Sequence, residues 1–125
     1  MIELPEAGSL EHAERSERAG AALGVIVAAA FGLRPGDLSS DSRGAADIAF
    51  ARQVAMYLAH THLSLPLTTA GRLFHRDRTT ARHACKQVEE RRDDPRVDTL
   101  LAHLERGIDL ATEIARLWAG SRSDA

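Results

Sequence analysis

Apolar residues recur at helical spacing along most of this chain. The first such segment, about Glu11 to Phe31, is apolar on most sides in its second half, so we expect it to form the centre of the core. A second helix is predicted over about Ala46 to His62. Its buried stripe is Ala51, Val54, Ala55 and Leu58. Its outer face is Arg52, Gln53, Met56 and His60.

Two closely spaced amphipathic stretches between residues 67 and 92 predict a helix-turn-helix motif. The buried stripe of the short first helix is Leu67, Ala70, Gly71 and Phe74. The buried stripe of the longer second helix is Ala81, Ala84, Cys85 and Val88. His75 and Arg76 form a tight link, and Asp77 is placed to cap the second helix. The outward face of that helix carries Thr79, Arg82, His83 and Lys86, a cationic and hydroxylic set whose natural counterpart is phosphate or a base edge.

A last amphipathic helix is predicted from about Val97 to Trp118. Near its end the apolar positions widen beyond one face; they are Leu110, Ile114, Leu117 and Trp118. We favour packing against the first helix, because apolar helix faces are more often core than interface. The alternative is a surface for a protein partner or for a second copy. Residues 11–118 would form a single helical domain between mobile ends at 1–10 and 119–125.

The composition supports an all-α domain. The 125 residues are 44% hydrophobic but only 4% aromatic, whereas sheets are enriched in aromatic and β-branched residues. The formal net charge is −2, yet from Arg72 to Lys86 there are five basic residues and one acid. The single cysteine, Cys85, suits a reducing compartment, and the sequence does not open with a basic stretch and an apolar core. The apolar run from Ala19 to Leu33 is too short to cross a bilayer comfortably, so we expect a cytoplasmic protein.

Residue patterns typical of catalysis or metal binding do not stand out in the sequence. His60, His62 and His75 could be imagined as zinc ligands, but the first two would lie about 200° apart on a helix and no cysteine pair accompanies them. We find no Ser-His-Asp arrangement, paired carboxylate site or glycine-rich phosphate loop ending in Gly-Lys-Ser/Thr. We therefore expect neither an enzyme nor a cofactor or metal site.

Three stretches, Arg52 to Ala59, Gly71 to Phe74 and Arg76 to Cys85, closely resemble the C-terminal DNA-binding domain of the bacterial replication initiator DnaA. The resemblance covers about Val25 to Arg92. The last stretch reads Arg-Asp-Arg-Thr-Thr, then two residues, then His-Ala-Cys, and differs from the family's signature only in having arginine where the family has histidine. The resemblance implies a helix-turn-helix domain that binds double-stranded DNA, without the initiator's nucleotide-binding motor.

Together with the cationic face, the resemblance implies which residues contact DNA. Base contacts in the major groove would come from Asp77, Arg78, Thr79 and Arg82. Contacts with the phosphate backbone would come from Arg52, Gln53, Thr68, Arg76, Thr80, His83 and Lys86. In the family a basic loop enters the minor groove; here Gly44 stands at the aligned position, and Arg43 is the substitute.

Departures from the family's pattern bear on specificity and on biological role. Arg78 replaces the small neutral ring of histidine with a long bidentate donor that prefers guanine. The preferred DNA sequence should therefore differ from the DnaA box, the site that the initiator binds. His75 replaces the usual glycine pair with one residue fewer, which tightens the turn. The Arg-Asp-Arg-Thr-Thr variant resembles the DNA-binding half of the gene transfer agent activators of α-proteobacteria, which implies a role in transcription.

We therefore predict a sequence-specific double-stranded DNA-binding protein that acts as a transcriptional regulator. One alternative is an accessory factor that binds DnaA-box-like sites at the replication origin. Another is an adaptor that ignores DNA and binds a protein through its apolar C-terminal helix. The cationic face also has an alternative explanation without a DNA-binding role. In that alternative, Arg82 and Lys86 pair with Glu89 and Glu90 as ordinary surface charges.

Overall fold

The computed structural model describes residues 7–41 and 46–123, and every regular element in these ranges is helical. The five α-helices are α1 (Ala7–Ala30), α2 (Ala46–Thr61), α3 (Leu67–Arg72), α4 (Arg78–Arg91) and α5 (Pro95–Ser123). A short 3-10 helix, Pro35–Ser39, lies between α1 and α2. The all-α prediction is therefore confirmed.

Two helices are longer than their apolar spacing predicted. α1 begins at Ala7 instead of Glu11, and α5 continues to Ser123 instead of ending near Trp118. Both helices thus extend into the terminal segments that we assigned to mobile ends. Neither added stretch contains a proline, and extending an existing helix by one residue costs far less than starting a new one.

α1 ends in a glycine cap that turns the chain toward α2. Gly32 adopts a φ of 69°, and the Leu33 amide donates to the Ala28 carbonyl at 2.8 Å, as in a Schellman motif. The chain then enters the 3-10 helix, whose Leu38 side chain is fully buried. The polar stretch after α1 is thereby fixed to the core.

α2 forms the centre of the core, a place that we expected α1 to take. It contacts α1, α3, α4 and the 3-10 helix. Its predicted stripe is buried, but Met56 and Arg52, which we placed on the outer face, are only 1% and 9% exposed. Apolar spacing marks the face that a helix packs on one neighbour, whereas α2 is covered from several sides. α1 buries one face and leaves Val25 exposed.

α3 and α4 form the predicted helix-turn-helix, and a glycine allows their close approach. A Cβ atom on Gly71 would lie 2.7 Å from the Asp77 carbonyl oxygen and 2.8 Å from the Arg76 carbonyl oxygen. The Arg76 amide donates to the Gly71 carbonyl at 2.9 Å and closes the turn. His75 adopts a φ of 56°, the left-handed region that is costly for a residue with a Cβ.

A polar network joins α2, α4 and α5. The Tyr57 hydroxyl donates to the Glu89 carboxylate at 2.7 Å and accepts from the Arg92 guanidinium at 3.0 Å. The Arg92 Nε donates to the Asp98 carboxylate at 2.7 Å. The hydrogen bonds with Tyr57 and Asp98 raise the pKa of Arg92, which is charged in any case. The network therefore fixes the end of α4 to the start of α5.

Candidate nucleic-acid interface

One side of α4 packs on the core and the opposite side is an exposed row of donors. The buried side consists of Ala81, Ala84 and Val88, with Cys85 half-buried beside them. The exposed side, here called the α4 face, consists of Arg78, Thr79, Thr80, Arg82, His83 and Lys86. The two-sided arrangement predicted from the spacing of these residues is therefore confirmed.

The cationic side chains of the α4 face form no ion pairs with the described carboxylates. Within the ranges 7–41 and 46–123, Arg78, Arg82 and Lys86 have no carboxylate within 4.0 Å. Glu89 instead accepts the hydrogen bond from Tyr57. The alternative in which Arg82 and Lys86 pair with nearby glutamates is therefore wrong for this structure, and the face presents a net positive charge to solvent.

Asp77 caps α4, as its position predicted. Its Oδ1 accepts from the Thr80 amide at 2.8 Å while its backbone remains extended, which is N-cap geometry. The hydrogen bonds from Thr80 hold the pKa of the Asp77 carboxyl below its usual value, so the cap is ionised at neutral pH. Arg78 and Thr79 follow in the first turn and are exposed. Three of the four residues expected to read bases therefore lie together at the start of α4, and the fourth, Arg82, is exposed one turn further along the helix.

Two arginines expected to hold phosphates are engaged with backbone carbonyls. Arg52 is buried, and its Nε donates to the Leu38 carbonyl at 2.7 Å while its second terminal nitrogen lies 3.3 Å from the Asp37 and Ser40 carbonyls. Arg76 is half-buried and donates to the same Ser40 carbonyl at 2.8 Å. Burial and the neighbouring Arg76 lower the pKa of Arg52. The placement of Arg52 on the outer face is wrong because carbonyls at the end of the 3-10 helix draw it inward.

The convergence of two arginines on Ser40 is a feature that the sequence pattern missed. Ser40 lies 12 residues before Arg52 and 36 before Arg76 in the chain, so helical spacing carries no signal for their meeting. Arg76 also donates to the Phe74 and His75 carbonyls, at 3.3 Å and 3.2 Å. The pair therefore joins the end of the 3-10 helix to the turn before α4.

The remaining predicted contacts lie around this centre or outside the described ranges. Thr68 is exposed at the start of α3, and Gln53 is half-buried on α2 beside Arg52. Arg43, the predicted minor-groove residue, lies outside the described residues. The structure thus brings together the predicted base-reading group on α4 and places the predicted phosphate-binding arginines behind it, against backbone carbonyls.

The histidines considered as zinc ligands have separate surroundings. The His60 Nδ1 lies 2.7 Å from the Leu65 carbonyl oxygen, whereas His62 lies 2.7 Å from an Asp109 oxygen and 3.4 Å from a Glu105 oxygen. In the part of the chain that the structure describes, no group of three His, Cys, Asp or Glu side chains is arranged to hold a metal ion. None of the helices described there is long and apolar enough to cross a membrane.

The geometry of the α4 face suits the major groove of DNA. An α-helix with its side chains is about 10–12 Å across, close to the width of about 12 Å of that groove, which admits one α-helix. Residues 23–88 match the family model described as the bacterial DnaA protein helix-turn-helix. The chain belongs to this family. Membership makes it a DNA-binding domain of the helix-turn-helix class, and the resemblance to the C-terminal domain of DnaA is confirmed.

Individual relatives of this DnaA-type domain are replication initiators. The chromosomal replication initiator protein DnaA 1 of Protochlamydia amoebophila is 43% identical over 65 residues, which is 52% of this chain and 14% of that protein. The DnaA of Rickettsia canadensis is 42% identical over 65 residues, or 51% of this chain and 14% of that protein. A crystal structure of a DNA replication initiation factor has a TM-score of 0.69 and 34% identity, covering 79% of this chain and 31% of that one. The chain thus spans about a seventh of the length of these initiators.

Proposed function

We propose that this protein recognises a specific double-stranded DNA sequence through the α4 face and regulates transcription from the sites it binds. The observation that carries the proposal is the exposed row of donors on a capped helix, free of ion pairs with the described carboxylates and headed by Arg78. Such a row meets base edges and phosphates when the helix enters the major groove. The protein would act on DNA alone, without a cofactor, in the cytoplasm at the nucleoid.

Arg78 is the residue through which specificity would differ from that of the initiators. It occupies the first position of α4, where the family's signature has histidine, and its side chain is exposed. A guanidinium donates two parallel hydrogen bonds to the O6 and N7 of guanine, which is the commonest specific contact in the major groove. Asp77 and Thr79, its neighbours at the helix start, would read the adjacent bases.

Backbone contacts would come from the exposed polar groups that flank this start. Thr80, His83 and Lys86 lie along α4, and Thr68 lies at the start of α3. Arg52 and Arg76 would contribute chiefly by holding the turn and the end of the 3-10 helix in place, since their guanidinium groups already donate to carbonyls. Arg52 and Arg76 would then act in binding chiefly as positioning residues. Arg76 and Gln53 would also contact phosphate.

Selection of binding sites from a random DNA pool tests the base-reading role. The wild type is compared with Arg78→Ala, Arg78→His and the control Arg106→Ala, which removes an exposed arginine from α5. We expect Arg78→Ala to weaken the selected site by about 1–3 kcal/mol while sparing nonspecific binding, and Arg78→His to shift the preference toward the initiator's box. If Arg78→Ala weakens every sequence equally, the assigned role is wrong.

Genome-wide occupancy of the tagged protein tests the biological role. Peaks at promoters that disappear in Arg78→Ala would support transcriptional regulation, and peaks at gene transfer agent promoters would support the activator that the signature resembles. The second candidate function is an accessory factor at the replication origin, which is favoured by the similarity to replication initiators. Peaks confined to the origin would support that candidate, and occupancy unaffected by Arg78→Ala would favour an adaptor.

A further inference from the structure

An open groove lies between α1 and α5 and has a volume of about 540 Å³. Small apolar side chains make up most of its lining: Ala19, Ala22, Ala111, Ala115 and Ala119. Sites for small molecules in proteins commonly measure about 300–1,000 Å³ and are lined mainly by apolar groups with a few polar or charged ones. The groove, here called the α1–α5 groove, is therefore large enough to hold a small molecule.

The α1–α5 groove opens where the core side of α5 changes from large to small residues. Leu101, Leu104 and Ile108 are buried in the core. At 100° per residue, Ala111 and Ala115 continue the same side of the helix. A methyl group does not fill the space that a leucine or isoleucine side chain fills, so a gap remains between the two helices. The groove is therefore a continuation of the core that the chain's own side chains leave unfilled.

The two ends of the α1–α5 groove differ in polarity. A Cβ atom on Gly107 would lie 3.8 Å from the Ile26 side chain, so α1 and α5 meet there. Ala22 and Ala111 are each about one turn from this contact along their own helices. The arginines that line the groove are about two to three turns from it: Arg15, Arg18 and Arg116. The groove is therefore apolar where the helices meet and cationic at its far end.

Two of these arginines do not form the ion pairs that their own helix offers. Glu11 precedes Arg15 by four residues and Glu14 precedes Arg18 by four, which is the order in which helical ion pairs form best. Among the residues 7–41 and 46–123, however, neither arginine has a carboxylate within 4.0 Å. Both guanidinium groups line the groove instead. They are therefore available to an anion that enters it.

We propose that the α1–α5 groove binds a long-chain carboxylate, with the chain over the alanines and the carboxylate against Arg15 and Arg18. A guanidinium donates two parallel hydrogen bonds to a carboxylate, and the positive charge disfavours a cationic ligand. A fully polar anion would leave the apolar lining in water, whereas an alkyl chain buries it. From Ala111 to Ala119 the helix rises about 12 Å, a length that suits an extended, unbranched chain.

The α1–α5 groove is separate from the turn that leads into α4. A Cβ atom on Gly20 would lie 2.8 Å from the Leu73 side chain, and one on Gly24 would lie 3.3 Å from the Phe74 ring. These two glycines therefore mark the side of α1 that packs on the turn. At 100° per residue, the two alanines of α1 that line the groove lie roughly on the opposite side of the helix. Ligand binding can therefore be measured without DNA.

An NMR titration of the isotope-labelled full chain with decanoate, below the concentration at which decanoate forms micelles, tests the proposal. We expect saturable shifts of amide signals on the groove sides of α1 and α5. Decyltrimethylammonium has the same chain with a cationic head and should bind at least about fivefold more weakly, because its charge opposes the arginines. Acetate has the carboxylate without the chain and should not saturate the site, because it buries little apolar surface.

Variants separate the two parts of the site. Ala115→Leu fills the groove and should abolish the saturable shifts. The double variant Arg15→Gln, Arg18→Gln should weaken decanoate binding by about fivefold. Arg106→Gln removes an exposed arginine elsewhere on α5 and should leave the affinity unchanged. All four positions are exposed, so circular dichroism spectra should match that of the wild type.

Several results would overturn the proposal. They are the absence of saturable shifts in the wild type, equal binding of decanoate and decyltrimethylammonium, and shifts confined to residues outside the groove. Binding that neither Ala115→Leu nor the double arginine variant weakens would overturn it as well. Because DNA is absent from the titration, the result is independent of whether the α4 face binds DNA.

Discussion

Removing the Arg52 side chain tests whether this residue serves the fold or contacts DNA directly. In Arg52→Ala, the Leu38 carbonyl loses a 2.7 Å hydrogen bond and the Asp37 and Ser40 carbonyls lose contacts of 3.3 Å. A hydrogen bond to a charged group contributes about 1.5–3 kcal/mol, and the two longer contacts contribute less. Losing all three contacts should lower the stability by more than the loss of one hydrogen bond would. Removing the buried guanidinium, however, also removes the free-energy cost of taking that charge out of water. We therefore expect the free energy of unfolding to fall by about 3 kcal/mol.

The assay is thermal and urea unfolding of the free protein, with DNA binding measured separately. For a chain of this size the loss corresponds to a fall in the unfolding midpoint of about 10 °C. Arg52→Lys keeps the charge but not the planar fork, so its stability should lie between those of Arg52→Ala and the wild type. The opposite result would be that Arg52→Ala unfolds like the wild type while its DNA affinity falls and the slope of log affinity against log salt concentration decreases by about one. Then Arg52 contacts phosphate, and the positioning role is refuted.

Two further predictions concern the turn and the cap. Gly71→Ala should lower the free energy of unfolding by about 1–3 kcal/mol, because the new Cβ would lie 2.7 Å and 2.8 Å from two carbonyl oxygens. Gly36→Ala is its control in urea unfolding, since a Cβ there has no neighbour within 4 Å; equal effects of the two changes would contradict the close-approach argument. Asp77→Ala should destabilise the protein at pH 6, and its difference from the wild type should shrink as the pH falls below about 4, the unfolded value for aspartate. The sign follows from the lowered pKa of Asp77 in the fold, and a difference that stays constant down to pH 2 would show that the ionised cap does not stabilise α4.

Local periodicity was enough to predict the recognition helix. The residues of α4 contact the core along one line, so 100° spacing separates Ala81 and Ala84 from Arg82 and Lys86 without knowledge of the rest of the fold. The same holds for the cap, because Asp77 satisfies an amide only three residues ahead of it. Features set by neighbours in the chain are therefore the ones that the sequence predicts well.

The errors arise where distant segments meet. Met56 lies on the side of α2 opposite its most apolar stripe, and it is buried because other helices cover that side as well. Arg52 was interpreted as a surface cation because its carbonyl partners lie 12 to 15 residues earlier in the chain. The expectation that the apolar end of α5 packs on α1 is wrong, because its four large side chains are 58% to 65% exposed: Leu110, Ile114, Leu117 and Trp118. Spacing within one helix does not specify which surface packs on its apolar side.

Arg52 and Arg76 connect the stability of the domain with the placement of the residues that we propose to read bases. Ser40 accepts from both Arg52 and Arg76, and Arg76 also holds the turn that leads directly into Asp77 and Arg78. A shift of either arginine would therefore move the start of α4 as well as loosen the 3-10 helix. Arg78 does not hold any other segment in place, because its side chain is exposed and the preceding residue, Asp77, caps the helix. If Arg78 reads bases as proposed, arginine in place of histidine at this position changes the preferred DNA sequence without a cost to the fold. Arg78→His is therefore expected to alter specificity and leave the unfolding midpoint unchanged.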